Sequence, residues 1–336
     1  MPTAFVYKSS WKNLFQGVAI VATMFLIVML VGWLLLDRFG IYLAIGFLIY
    51  SVVTFRGLPT AWVMRQFRAQ AITMYEAPQL VQLFEELTRK AGIRNVVSLY
   101  YLPTSTPNAF ATGHGSDAAV CVSDGILRLM NRRELMGVLA HELSHIRNQD
   151  TRIMGLAQTM GRVTAFFSRI GVLTLLFALP AISLGLSSLG IVLSGALLVV
   201  APLINTLLQL GLSRSREFNA DLGSADITGD PMGLASALQK LENTMRGSWL
   251  GRQVDPRSTV QEPNWLRTHP ATGERITRLK QIAASMGQEF EQFNDGDLDM
   301  TFHAPVEKPR RYRVLRVIGD SRQYTPNVVA RHRCAL

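Results

Sequence analysis

Two histidines four residues apart with a glutamate between them, His141-Glu142-Leu143-Ser144-His145, are the residues of this 336-residue chain best arranged for chemistry. On a helix, positions i and i+4 share a face one turn apart, so both imidazoles can reach a single ion. Zinc accepts neutral imidazole nitrogens at near-tetrahedral geometry. Glu142 falls beside that face, where a carboxylate can take a proton from water that the metal has acidified toward a pKa of about 7. The pattern predicts metal-assisted hydrolysis. A catalytic zinc has three protein ligands and one open position, and the pentapeptide supplies two. Glu217, within SRSREFNAD, is the candidate for the third. Asp221 follows four residues later on the same helical face, able to accept a hydrogen bond from the outer nitrogen of a bound imidazole. On spacing alone, an ordinary solvated acidic face explains Glu217 and Asp221 equally well.

These residues need elements to carry them. Asn131 followed three residues later by Glu134 is a helix-opening pair, and the helix it starts runs through the two histidines. Upstream, Pro78–Gly92 is amphipathic with Pro early and Gly last, which predicts another helix. Val96–Leu102, Asn108–Ala111 and Ala118–Val122 are short and rich in β-branched, aromatic or small apolar residues, which predicts strands. The turn TGHGSD links the last two, with His114 as a turn residue. Downstream, Ser215 to about Glu242 predicts helix with a break near Gly229-Asp230-Pro231, and a final helix starts at Thr268-His269-Pro270.

Between the two halves of the candidate site lies a lipid-like stretch. Ile170–Ser213 holds 44 residues without a charge, enough for two crossings and a turn. If His141 and Glu217 share an ion, the chain between them must cross a bilayer an even number of times, and two crossings satisfy that. Near the N-terminus, Asn13–Leu36 is uncharged over 24 positions. A second apolar run, Ile41–Phe55, follows a turn at Asp37, Arg38 and Gly40, giving about four spans in all. The first stretch is too long for a signal-peptide core. Lys8 and Lys12 precede it and Arg56, Arg65 and Arg68 follow the second, so the positive-inside rule puts the N-terminus and the chain after Arg56 in the cytoplasm.

Composition agrees. Hydrophobic residues make up 49% and charged residues 17%, well below the roughly 25% charge of soluble domains. The net charge of +10 owes much to residues 301–336, where eight Lys or Arg face two acidic residues. Near membrane spans such charge sets topology or meets anionic lipid, and no nucleic-acid motif accompanies it. Cys121 and Cys334 have no partner at metal-ligand spacing, and Cys121 lies in an apolar, strand-like run.

Four segments in order, PNAFATG (107–113), HELSHIRNQD (141–150), SREFNAD (215–221) and THPATGERI (268–276), resemble the signatures of the HtpX-type membrane zinc metalloproteases. The likeness covers roughly Trp11 to Gln281; the tail beyond matches nothing. It implies an α+β, predominantly α fold, a polytopic membrane protein with a zincin-like metallopeptidase domain. It also implies one zinc per chain on His141, His145 and Glu217, with Glu142 as general base. Asn108, Ala109 and Phe110 would form an edge strand that binds extended substrate, and His269 would stabilise the oxyanion; helix capping is the plainer role for His269. The division expected is two N-terminal spans over 1–56, a first catalytic part over 57–169, a hairpin over 170–213, a second catalytic part over 214–285, and a basic extension over 286–336. Misfolded membrane proteins as substrates, the lipid bilayer as surroundings, and a bacterial cytoplasmic (inner) membrane location with the active site facing the cytoplasm complete the expectation. A non-enzymatic scaffold or transporter-associated protein with a degenerate metal site is the alternative. An intramembrane protease is disfavoured, because Arg132, Arg133, Arg147 and Asp150 flank the motif and burying them in lipid is costly.

Overall fold

The computed structural model describes residues 4–54, 59–183, 185, 189–252 and 272–286. Cys334 and the whole extension from 287 onward lie outside the described residues, as does His269.

The chain opens with α1 (Ala4–Thr54), broken at Leu36 and Asp37, whose backbone leaves the helical region. Asp37 takes a positive φ of 52°, and the chain reverses so that Gly32 and Gly40 meet backbone to backbone; a Cβ on either would collide with the other's main chain. Two helical arms therefore pack as a hairpin. The first arm holds an apolar window, Gly17–Leu34, long enough to cross a membrane, and Asp150–Ala178 and Leu189–Thr228 are two further helical stretches of that kind among the described residues. The second arm is helical to Thr54 but shorter than the about 20 residues that a span needs.

A short helix α2 (Thr60–Gln66) leads to a four-stranded sheet of β1 (Gln70–Ala71), β2 (Ser98–Leu102), β3 (Ala109–Thr112) and β4 (Ala119–Ser123), in the order β1-β2-β4-β3. β2 runs parallel to β4 and the other two pairs are antiparallel. The three strands expected from sequence form within a residue or two of their predicted ends; β1 was not anticipated. Cys121 sits fully buried in β4, where burial pushes its thiol up to about 12, which makes it an inert core residue.

Helices α3 (Pro78–Lys90) and α5 (Arg132–Arg147) follow the amphipathic and capping signals, and the short helix α4 (Asp124–Leu129) between them was not anticipated. Then come two long helices, α6 (Asp150–Ser183) and α7 (Leu189–Thr228). The chain breaks at Gly229 before α8 (Pro231–Arg252), and α9 spans Thr272–Ser285. One hydrophobic core joins the sheet to α3, α5, the end of α7, α8 and α9 through Leu87, Val120, Leu139, Leu222, Leu238 and Leu279. The membrane-type helices pack separately around Met24, Ala157, Met160 and Leu212.

Candidate metal centre

Helix α5 is fixed at its start by a reciprocal cap. The Asn131 side chain accepts from the Glu134 amide at 2.9 Å, and the Asn131 amide donates to Glu134 Oε2 at 3.0 Å. Glu134 also accepts from Ser236 Oγ (2.6 Å) and Lys240 Nζ (2.8 Å), tying the helix to α8. Beyond the first turn the helix is enclosed. His141 is 0% exposed, Glu142 1% and His145 8%.

Close approach sets the geometry between α5 and α7. Ser224 Oγ donates to the Gly137 carbonyl at 2.8 Å. A Cβ at Gly223 would overlap Ser144 Oγ, so only glycine there lets the helices come this near. This contact brings Asp221, less than a turn earlier on α7, and Glu217, about two turns earlier, beside the histidines. His145 Nε2 lies 3.2 Å from His141 Nε2. Glu217 Oε2 is 3.4 Å from His141 Nε2, and Glu217 Oε1 is 3.7 Å from His145 Nε2. Ligands at the 2.0–2.1 Å bonds of a tetrahedral zinc site stand about 3.3 Å apart. The three side chains are buried and form the one group among the described residues with metal-ligating atoms this close together.

The outer ring nitrogens are held as well. Asp221 Oδ1 lies 3.1 Å from His141 Nδ1, as expected from the sequence. Asp150 Oδ2 lies 2.8 Å from His145 Nδ1, a partner that sequence spacing did not single out. Gln149, in the left-handed region at φ 55°, turns the chain between α5 and α6 and brings Asp150 back over the preceding helix. Both carboxylates favour the tautomer that leaves Nε2 free for a metal.

Two arginines complete the cluster, and neither was identified as a site residue from sequence. Arg275, on α9 and 0% exposed, forks onto Asp221 (Nε–Oδ2 2.9 Å, Nη2–Oδ1 2.7 Å) and reaches Glu217 Oε2 with Nη1 at 2.9 Å. Burial works against its charge, and the carboxylates of Asp221 and Glu217 outweigh that, holding Arg275 more firmly protonated than a free arginine. The Arg278 guanidinium stacks 3.6 Å from the Phe218 ring centre, docking α9 on α7 in the register that delivers Arg275. Arg216, also buried, lies 3.3 Å from Asp150 Oδ1 through Nη1. The available signal for Arg275 was its place inside the segment THPATGERI.

Charge tests whether a metal fits. Glu142, Asp150, Glu217 and Asp221 are four buried carboxylates, and Arg216 and Arg275 are two buried guanidiniums. With neutral imidazoles the cluster is short of two positive charges, the complement of one divalent cation. The donor set fits.

At the sheet, β3 is an edge strand packed against α5. Asn108 precedes it and is already engaged: its carbonyl accepts from the Ser123 amide at 2.8 Å and its amide donates to Ser123 Oγ at 2.8 Å. The antiparallel alternation then turns the main chains of Ala109 and Ala111 outward and that of Phe110 toward β4. Of the three residues expected to offer main-chain groups, Ala109 has the open edge.

A buried pair of helix-borne histidines, a carboxylate from a second helix and a glutamate beside them define a metal-dependent hydrolase. Comparison with known proteins makes this particular: the chain belongs to peptidase family M48, whose sequence model matches residues 75–283. It is 38% identical to a Protease HtpX homolog of Pyrococcus abyssi over 276 residues, 77% of this chain and 92% of that one. To the Protease HtpX homologs of Bifidobacterium longum and Ralstonia pickettii it is 37% and 33% identical, spanning 90% and 97% of their lengths and 79% and 82% of this chain. The family resemblance read from four segments is thus borne out, and the chain is a metallopeptidase.

Proposed function

We propose that this chain is a multi-pass zinc endopeptidase of the bacterial cytoplasmic (inner) membrane that cleaves misfolded or damaged membrane proteins from the cytoplasmic side. The observation that carries the reading is the convergence of His141, His145 and Glu217 on one point at 3.2–3.7 Å, with Glu217 borne by the same continuous helix as a long apolar stretch. A hydrolytic centre joined rigidly to a membrane helix works on chains at the bilayer surface. Lys8 and Lys12 before the first span, and Arg56, Arg65 and Arg68 after the second arm of α1, support a cytoplasmic face. That arm serves as a fourth span, tilted or partly embedded. The catalytic unit is then one domain written in two pieces, 57–169 and 214–285, with the hairpin 170–213 between them and 1–56 beside it.

Zinc on the three ligands would supply Lewis acidity to the scissile carbonyl and the attacking water. Glu142 takes the proton from that water and returns it to the leaving amine. Asp150 and Asp221 hold the imidazoles in orientation, and Arg275 keeps Asp221 ionised while pairing with Glu217. An extended substrate adds to β3 by hydrogen bonds to Ala109 and Ala111, next to the helix that carries Glu142. His269 is assigned to the oxyanion.

The test is Glu142→Gln, assayed in detergent on an unfolded membrane protein. Turnover should fall about 10²–10⁴-fold while metal content stays at the parental level. Parental turnover in that variant would remove Glu142 from the role of base.

A further inference from the structure

Asp150, which holds the His145 ring, is itself held from the side of the first helix. It offers Oδ2 to His145 Nδ1 at 2.8 Å and Oδ1 to Arg216 Nη1 at 3.3 Å. Arg216 immediately precedes Glu217 on α7, so its side chain leaves the helix about 100° round from the metal-facing carboxylate. It is 6% exposed, and α1 supplies part of its cover. A Cβ on Gly17 of α1 would stand 2.9 Å from Arg216 Nη2 and 3.6 Å from its Cζ. Gly17 is the first residue of the apolar window Gly17–Leu34. Two links, Arg216 to Asp150 and Asp150 to His145, thus run from a membrane-type helix to a metal ligand.

The contact with α1 decides where the guanidinium sits. Among the described residues, Asp150 is the one acceptor recorded for Arg216, and Arg216 Nε is buried without any. A single contact at 3.3 Å is longer than the usual charge-assisted bond. Alone it does not confine a side chain with so many rotatable bonds; the wall at Gly17 on the other side does. Any side chain at position 17 would occupy the place of Nη2, and the group that must yield is the guanidinium paired with Asp150. Its displacement leaves the Asp150 carboxylate with His145 alone, free to turn and to take the imidazole with it.

We propose that Arg216 is a positioning residue of the metal centre and that Gly17 sets its place, so that the packing of α1 on α7 governs the orientation of His145. The inference deepens the metallopeptidase reading and rests on it for the metal. It makes the first helix a part of the metal centre as well as an anchor: a shift of α1 against α7 alters the hold on His145.

Zinc affinity of the full chain in detergent is measured by competition with a chromogenic chelator. Beside it, the visible spectrum of the cobalt(II)-loaded chain is recorded, because its band position follows ligand geometry. Arg216→Gln should weaken zinc about tenfold, the low end for losing support around a metal-bound histidine, and shift the cobalt band. Arg216→Lys, which keeps a cation for Asp150, should recover most of both. Gly17→Val should weaken zinc about fivefold in the parent and less than about twofold in Arg216→Gln, since it acts by moving a group that the second protein lacks. Met24→Ala, on the same helix among Ala157, Met160 and Leu212, should lower the unfolding temperature of the zinc-free chain and leave both metal readouts at parental values. Parental zinc affinity in Arg216→Gln, an equal effect of Gly17→Val with and without Arg216, or a zinc loss in Met24→Ala as large as in Gly17→Val would each overturn the proposal. A parent chain that takes up zinc through His141 yet gives one of those results would keep the metal site and lose only the role of α1. A parent that binds no zinc would remove both.

Discussion

The two halves of α7 obey opposite rules. From Leu189 to about Gly211 it presents Leu193, Leu203, Leu207 and Leu210 outward, each at least 60% exposed, and makes its close contacts through small residues such as Gly195. From Ser215 onward it buries Arg216, Glu217 and Asp221 beneath neighbouring helices. The first half is stable only where apolar side chains cost nothing outside, in lipid. The second is stable only because every buried charge meets an opposite charge or a metal. One unbroken helix therefore fixes the metal site at a set distance from the bilayer, which two helices and a loop would leave loose.

Removing charge should hurt the second half most. Arg275→Ala leaves Glu217 and Asp221 buried without their guanidinium, and the expected loss is about 3–5 kcal/mol. A bound divalent cation offsets part of that charge, so chemical denaturation with and without chelator should show the larger loss in the chelated protein. Equal losses in both would break the picture of a shared charge balance. In the first half, Gly195→Leu meets Leu175 Cγ at 3.1 Å and the Gly171 carbonyl at 3.3 Å from its Cβ alone. It should cost about 1–3 kcal/mol by overpacking while metal content and metal affinity hold. A loss of metal in that variant would mean that the halves are less separate than their packing implies.

The smallest effect is expected just past the end of α7, at Asp230. Burial raises its pKa, but the Arg133 guanidinium and the amides of Gly233 and Met232 outweigh this and hold the carboxyl below the usual aspartate range. A carboxylate with a depressed folded-state pKa stabilises the fold above about pH 3.9 and loses that contribution as pH falls through the folded value. Asp230→Asn should cost about 1 kcal/mol at neutral pH and flatten the acid limb of the stability curve below pH 4. An unchanged acid limb would assign the acid sensitivity to other carboxylates.

Much of the site was legible because its signals are local. The cap at Asn131 and Glu134, the i,i+4 histidines and the Glu217–Asp221 spacing all follow from helical periodicity, and the uncharged run 170–213 demanded an even number of crossings. Asp150 was hidden because one left-handed residue, Gln149, reverses the chain and brings a flanking charge onto His145. Arg275 was hidden because its partners lie on α7, 54 and 58 residues upstream, and no periodicity links them. Asn108 was misjudged as part of an open edge because strand register, set here by Ser123, cannot be read from a four-residue strand. The apolar run after Asp37 was legible as helix, but its length alone does not establish a fourth crossing.

Metal content of the purified chain by elemental mass spectrometry tests the central claim most directly. The account predicts one zinc per chain, lost in His141→Ala and in Glu217→Ala alike, although the two residues lie on different helices with two long apolar stretches of chain between them. Zinc retained at full occupancy in Glu217→Ala would contradict it.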